Sequence, residues 1–166
     1  MIRAAAASDA SEIVRIYNHY VLNTIITFEE EAISTAEMAR RIEETQSASL
    51  PWLVAEREGA IVGYAYATRW KVRRGYRFSV EVTAYVDSSC PGLGIGSQLY
   101  EQLLPMLQER GIHAAMGGIA LPNEASVAFH EKFGFYKVAH FKEVGFKFNK
   151  WIDVGYWQRM LLGNDR

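Results

Sequence analysis

Apolar residues along this chain follow a helical period first and a two-residue period later. From Asp9 onward, Ile13, Ile16, Tyr17 and Tyr20 share one helical face, and Asp9 followed by Glu12 supplies a helix-start pattern. Residues 2–5 ahead of it read as a short edge strand. The stretch T-I-I-T-F-E-E-E breaks the period and reads as a loop. Ser34 and Glu37 then form a capping pattern that opens a second helix carrying Met38 and Ile42, with Arg40, Arg41, Glu43 and Glu44 on its solvated face.

From Pro51 the period changes to two. Residues 52–56 and 61–70 read as a hairpin turning at Glu58-Gly59. Residues 71–75 interrupt, and residues 76–86 resume as a third antiparallel strand. There Val80, Val82, Ala84 and Val86 alternate with Glu81, Thr83, Tyr85 and Asp87. Leu99, Leu103, Met106 and Leu107 return to one helical face, in a helix that ends near Arg110-Gly111. Pro105 inside it predicts a kink or a locally lost hydrogen bond.

Residues 113–120 are small and apolar, the mark of a buried strand. A short helix follows, capped by Asn123 and closed by Gly134. Residues 136–162 hold two more strand-like runs, around Gly145-Phe146-Lys147 and Trp157-Gln158-Arg159. With no repeat or linker, residues 1–166 read as a single α/β (α+β) domain on a mixed sheet of six or seven strands.

Composition narrows the function classes. A net charge of −1 leaves no global electrostatic case for nucleic acid. The single cysteine, Cys90, excludes an internal disulfide and a Cys-based zinc site, which points to the cytoplasm and to no metal. No apolar run approaches a membrane span, and the alanine-rich start turns acidic too soon for a signal peptide.

The candidate chemistry lies between the third strand and the helix that follows it, at Gly92, Gly94 and Gly96. The first N–H groups of a helix have no partner within it, and bare glycines let an anion approach them closely. No lysine follows Gly96 as a Walker loop requires, and Ser97 stands where a dinucleotide fingerprint needs its third glycine. The residues alone fit equally a phosphate cradle and a glycine-rich turn packed against a helix.

The G-x-G-x-G arrangement resembles the pyrophosphate loop of the Gcn5-related N-acetyltransferases, usually [QR]-x-x-G-x-[GA], aligned here on residues 91–96. Pro91 replaces the usual Gln or Arg, which removes one polar contact and one backbone donor. The run L-P-N-E-A-S-V-A-F-H-E-K-F-G-F resembles the family's second signature, N-x-x-[SA]-x-x-[FL]-[YH]-x-x-x-G-F. The stretches I-Y-N-H-Y-V, G-Y-A-Y-A-T-R-W-K, V-E-V-T-A-Y-V and G-F-K-F-N-K-W-I-D-V-G-Y-W-Q are similar, more narrowly, to the phosphinothricin and methionine sulfoximine N-acetyltransferases. The resemblance covers essentially the whole chain. It implies a mostly antiparallel sheet with about four helices, and acetyl transfer from acetyl-CoA to a small amino acid.

Residue by residue, the resemblance implies a catalytic carboxylate at Glu81 and a second proton-transfer group at His130. Taken alone, Glu81 fits better a solvent-facing glutamate paired with Arg77, and His130 fits equally a structural hydrogen-bonder beside Phe129 and Phe133. The pantetheine arm is expected along Ala84, Tyr85 and Val86, and the pyrophosphate at Gly92, Leu93, Gly94, Ile95, Gly96 and Ser97. Asn123 would bond the pantetheine, although it also serves as a plain helix cap; Lys132 would reach the phosphates, although it also fits a solvated surface lysine.

The acceptor site implied takes Lys71, Val72, Arg73, Val82 and Thr83, with a bidentate arginine on the acceptor carboxylate and Phe28 and Glu29 towards the amine. A charged loop facing water is the competing account of residues 71–73. Trp70, Trp151, Tyr156 and Trp157 are expected to pack, and the aromatic tail to build a homodimer. Two alternatives stay open: another amine, such as a polyamine or a protein N-terminus, and a coenzyme-A-binding sensor without turnover.

Overall fold

A computed structural model describes residues 1–162. Seven strands form one sheet: β1 (Ile2–Ala4), β2 (Trp52–Arg57), β3 (Ala60–Arg69), β4 (Ser79–Val86), β5 (Ala114–Ala120), β6 (Tyr136–Lys147) and β7 (Lys150–Met160). Their order is β1-β2-β3-β4-β5-β7-β6, and only the β4–β5 pair is parallel. Helices α1 (Ala10–Asn23), α2 (Thr35–Ser47), α3 (Ile95–Glu109) and α4 (Glu124–Lys132) complete the fold. The mixed, mostly antiparallel sheet with four helices is the architecture the sequence implies.

The β2–β3 hairpin forms where the alternation predicts it, with Glu58 and Gly59 both at positive φ in its two-residue turn. Val80 and Val82 pack with Leu99, Leu103 and Leu107 of α3 on one face of the sheet. Ile13, Ile16, Tyr17, Met38 and Ile42 of α1 and α2 cover Val54, Tyr64 and Tyr85 on the other. Tyr85, on the polar side of the predicted alternation, is therefore buried; Tyr17 and Tyr20 pack on its ring at centroid distances of 5.4 and 5.2 Å. A sheet covered on both faces defeats a simple in–out reading.

Several expectations need correcting. Residues 74–76 form a 3₁₀ turn, with the N–H groups of Tyr76 and Arg77 bonded to the carbonyls of Arg73 and Arg74, so β4 begins at Ser79. Asp9 does not cap α1, because its carboxylate is taken by the Arg3 guanidinium at 2.8 and 2.9 Å and by the Ala6 N–H at 2.7 Å. Ser34 does cap α2, accepting from the Glu37 N–H at 3.1 Å, but the Glu37 carboxylate turns to Arg40 and Arg41 instead of closing the box. The tail strands are far longer than their apolar centres suggest. Trp157 is core, whereas Trp151 is 66% exposed, its ring set against Phe146 at 4.7 Å.

Candidate active site

The site begins where two parallel strands part. β4 and β5 pair only from Ser79–Ala114 to Glu81–Met116, after which β5 continues alone against β7. The Asp87 N–H donates to Val62 on the β3 side, and the Phe78 carbonyl accepts from His113 and Ala114 on the β5 side. By the alternation of a strand, the main-chain groups of Ala84 and Val86 then face the gap. The Tyr20 hydroxyl, reaching over from α1, donates to the Val86 carbonyl. A cavity of about 110 Å³ occupies the gap, lined by Val82, Thr83, Ala84, Tyr100, Gly118 and His130 among others.

Next to it, with Phe129 shared, a cavity of about 450 Å³ surrounds the glycine loop from Pro91 to Ser97. Gly92 and Gly94 have φ of 72° and 70°, a conformation that disfavours any side chain, and α3 starts at Ile95. Lys132 Nζ donates to Ser97 Oγ at 3.2 Å, which sets its charge beside the helix start. Asp87 also lines this cavity. Its carboxyl is pulled down to about 2 by the Ser89 N–H and hydroxyl and by Arg15, which compensate its charge. The exposed amides can hold a diphosphate.

Glu81 and His130 are separated by the sheet. A Cβ on Gly117 would lie 2.6 Å from His130 Nε2, and one on Gly118 would lie 2.9 Å from Glu81 Oε1. Successive residues of a strand point to opposite faces, so His130 stands on the α3–α4 face and Glu81 on the α1–α2 face. Both meet β5 beside the gap.

Burial raises the Glu81 carboxyl above its ordinary pKa, and the nearby Lys71 ammonium partly opposes this. Arg77 makes no ion pair with Glu81; its guanidinium bonds the Arg74 carbonyl instead. Burial lowers His130, opposed by its bond to Ser126. Because a carbonyl only accepts, the 2.8 Å contact from Nδ1 to the Ser126 oxygen fixes the proton on Nδ1. Nε2 is then an acceptor, 3.4 Å from the hydroxyl of the fully buried Tyr100.

Asn123 caps α4 through the Ser126 N–H at 3.1 Å. Thr83 and Ile26 line the gap, and Phe28 lies against the bare Cα of Gly145 in β6. Glu29 is already engaged, accepting from the Tyr17 hydroxyl at 2.6 Å and pairing with Arg41, which keeps its carboxyl low. Lys147, only 1% exposed, donates to the Thr27 carbonyl and ties this loop to the β6–β7 hairpin. Lys71 is close enough to act on Glu81, Val72 is exposed, and Arg73 has no ion pair among the described residues.

Three tyrosines at the gap escape sequence reasoning: Tyr20, Tyr100 and Tyr156. Each reads as an apolar position in a helical or strand pattern. Tyr156, expected only to pack, instead stands beside Glu81 at Gly118, with Trp70 edge-on at 5.2 Å. Only the pairing of strands reveals it.

A parted strand pair, a glycine-rich helix start open to an anion and a partly desolvated carboxylate across the sheet suit group transfer from an anionic carrier. The chain belongs to the acetyltransferase (GNAT) domain family, which matches residues 2–155. It is 39% identical over 158 residues to a phosphinothricin N-acetyltransferase of Streptomyces viridochromogenes, covering 95% of this chain and 86% of the relative. It is 34% identical to an L-methionine sulfoximine/L-methionine sulfone acetyltransferase of Salmonella typhimurium, covering 96% and 94% respectively. The crystal structure of a phosphinothricin acetyltransferase from Sinorhizobium meliloti in complex with AcCoA superposes with a TM-score of 0.93 at 36% identity, covering 96% of this chain and 87% of that one. The protein is thus an N-acetyltransferase whose acetyl donor is acetyl-CoA.

Proposed function

We propose that this enzyme acetylates the amino group of a small amino acid of the phosphinothricin or methionine sulfoximine type. One observation carries the mechanism: neighbouring glycines of β5 present His130 on one face of the sheet and Glu81 on the other. The diphosphate of the donor lies on the amides of residues 92–97, with Lys132 beside it, and Ala84 and Val86 pair with the pantetheine arm. Asn123 and Tyr85 border that path.

The acceptor enters from the Glu81 face, against Phe28, Lys71, Val72, Arg73 and Thr83, while Val82, its side chain packed against α3 on the opposite face, borders the gap with its main chain. Glu81 takes one proton from the ammonium, and the freed amine attacks the thioester carbon. A main-chain N–H in the gap polarises the carbonyl oxygen. The C–S bond then breaks, and the second ammonium proton leaves with the thiol. The neutral His130 and its Tyr100 partner serve that departing sulfur.

Thiol release from acetyl-CoA across phosphinothricin, methionine sulfoximine, polyamines and short peptides tests the acceptor. Turnover of the first two is expected; turnover of polyamines or peptides alone overturns the assignment.

The reading extends to the assembly. β6 is an edge strand, and Tyr136, Val138, Phe141, Val144, Phe146 and Trp151 of the tail strands are exposed. We infer a homodimer that covers this face, to be checked by light scattering. The compartment that fits an unpaired Cys90 is the cytoplasm. Among the described residues, no helix is long and apolar enough to cross a membrane.

A further inference from the structure

A third cavity, of about 660 Å³, lies at the other end of the parallel strands. It shares no lining residue with the gap or the glycine loop. Arg69 from the end of β3, Arg77 from the stretch before β4, and Arg110 just after α3 converge on it. No carboxylate lines it, and among the described residues none of the three arginines makes an ion pair. In a chain of net charge −1, with 18 basic and 19 acidic residues, three arginines around one cavity with no acid among its walls make it a local positive region.

Two of them are held in place. Arg110 Nη1 donates to the Ser49 carbonyl at 2.7 Å, and Ser49 sits at a φ of 60°. Arg77 bonds the Arg74 carbonyl and lies over the Phe78 ring at 4.4 Å. Each keeps further N–H donors free in a planar fork that suits oxyanions. Leu50, Phe78 and Ile112 supply apolar walls between the charges. The size falls within the range of small-molecule sites.

We propose that this cavity is a second ligand site, for a small metabolite bearing at least two oxyanion charges on a partly apolar body. Phosphate esters and polycarboxylates share that chemistry. The site is separate from acetyl transfer, so its failure leaves the proposed function untouched.

Titration calorimetry with tripolyphosphate and with citrate, on protein saturated with coenzyme A, tests it; saturation removes the glycine loop as a competing anion site. One-to-one binding of either probe is expected, and the arm that responds names the ligand class. Arg69→Gln combined with Arg110→Gln should weaken that binding by about tenfold or more. Arg77→Lys, which keeps the charge and loses the fork, should weaken it less. Melting temperature and coenzyme A affinity measured on each variant show that the fold is intact. Absence of binding to the saturated protein, several weak sites in place of one, or affinity unmoved by the substitutions overturns the proposal.

Discussion

Glu81 is held half-buried beside Tyr156, and burial keeps its carboxyl protonated to a higher pH than an ordinary glutamate. A base with a raised pKa works only above it, so kcat/KM should rise with pH through that value. Glu81→Gln should lower kcat by about 10²–10⁴-fold and abolish this acid limb in a pH–rate profile. The two neighbouring glycines predict contrasting outcomes. In Gly117→Ala the new methyl meets the His130 ring, which Ser126 and Tyr100 hold in place, so a loss of about 1–3 kcal/mol should appear in chemical denaturation. In Gly118→Ala it meets the free end of Glu81 at 2.9 Å, which can swing aside, and the Tyr156 ring at 3.1 Å, which must give by a few tenths of an ångström, so kcat should fall with a smaller loss of stability than in Gly117→Ala. Glu81 and His130 were reachable from sequence only through the family resemblance, since a carboxylate and an imidazole in apolar surroundings admit structural roles too. Tyr100 and Tyr156 were not reachable, because periodicity reports that a side chain is buried and not what it touches.

Among the elements, the loop before α3 ties conformation most directly to ligand binding. Gly94 stands at φ 70° with nothing within 4 Å of a Cβ, so Gly94→Ala strains the backbone and does not clash. We expect about 1–2 kcal/mol of destabilisation and a higher KM for acetyl-CoA, with the acceptor KM unchanged, measured by initial rates. Strands and helices with a clear period were legible: the β2–β3 hairpin, α2, α3 and α4 fall within a residue or two of where their patterns put them. Boundaries governed by a single bond were not. The start of β4 is set by the turn at residues 74–76, and Asp9 is claimed by Arg3 before it can cap a helix. α3 runs through Pro105 to Glu109 because one missing N–H inside a well-buried helix leaves its other bonds standing.

For the whole molecule, the β6–β7 edge is the surface with the clearest unmet demand for cover. Trp151→Lys should leave the fold intact and shift a homodimer towards monomer in light scattering at micromolar concentration; an unchanged mass would place the contact elsewhere. Strand order was out of reach of periodicity, since alternation reads the same for parallel and antiparallel neighbours and says nothing of where two strands part. That parting is the centre of the site. It was not foreseen from the sequence, and the resemblance to one family offered only an expected pantetheine path along residues 84–86.

The division of Glu81 and His130 between the two faces of the sheet has a kinetic corollary. In the proposed placement donor and acceptor approach by separate doors, so neither has to depart before the other arrives, and no acetylated enzyme need accumulate. Double-reciprocal plots should intersect instead of running parallel. An inhibitor that joins coenzyme A covalently to the acceptor would have to be threaded through the sheet, so it should gain affinity slowly and lose it more slowly still.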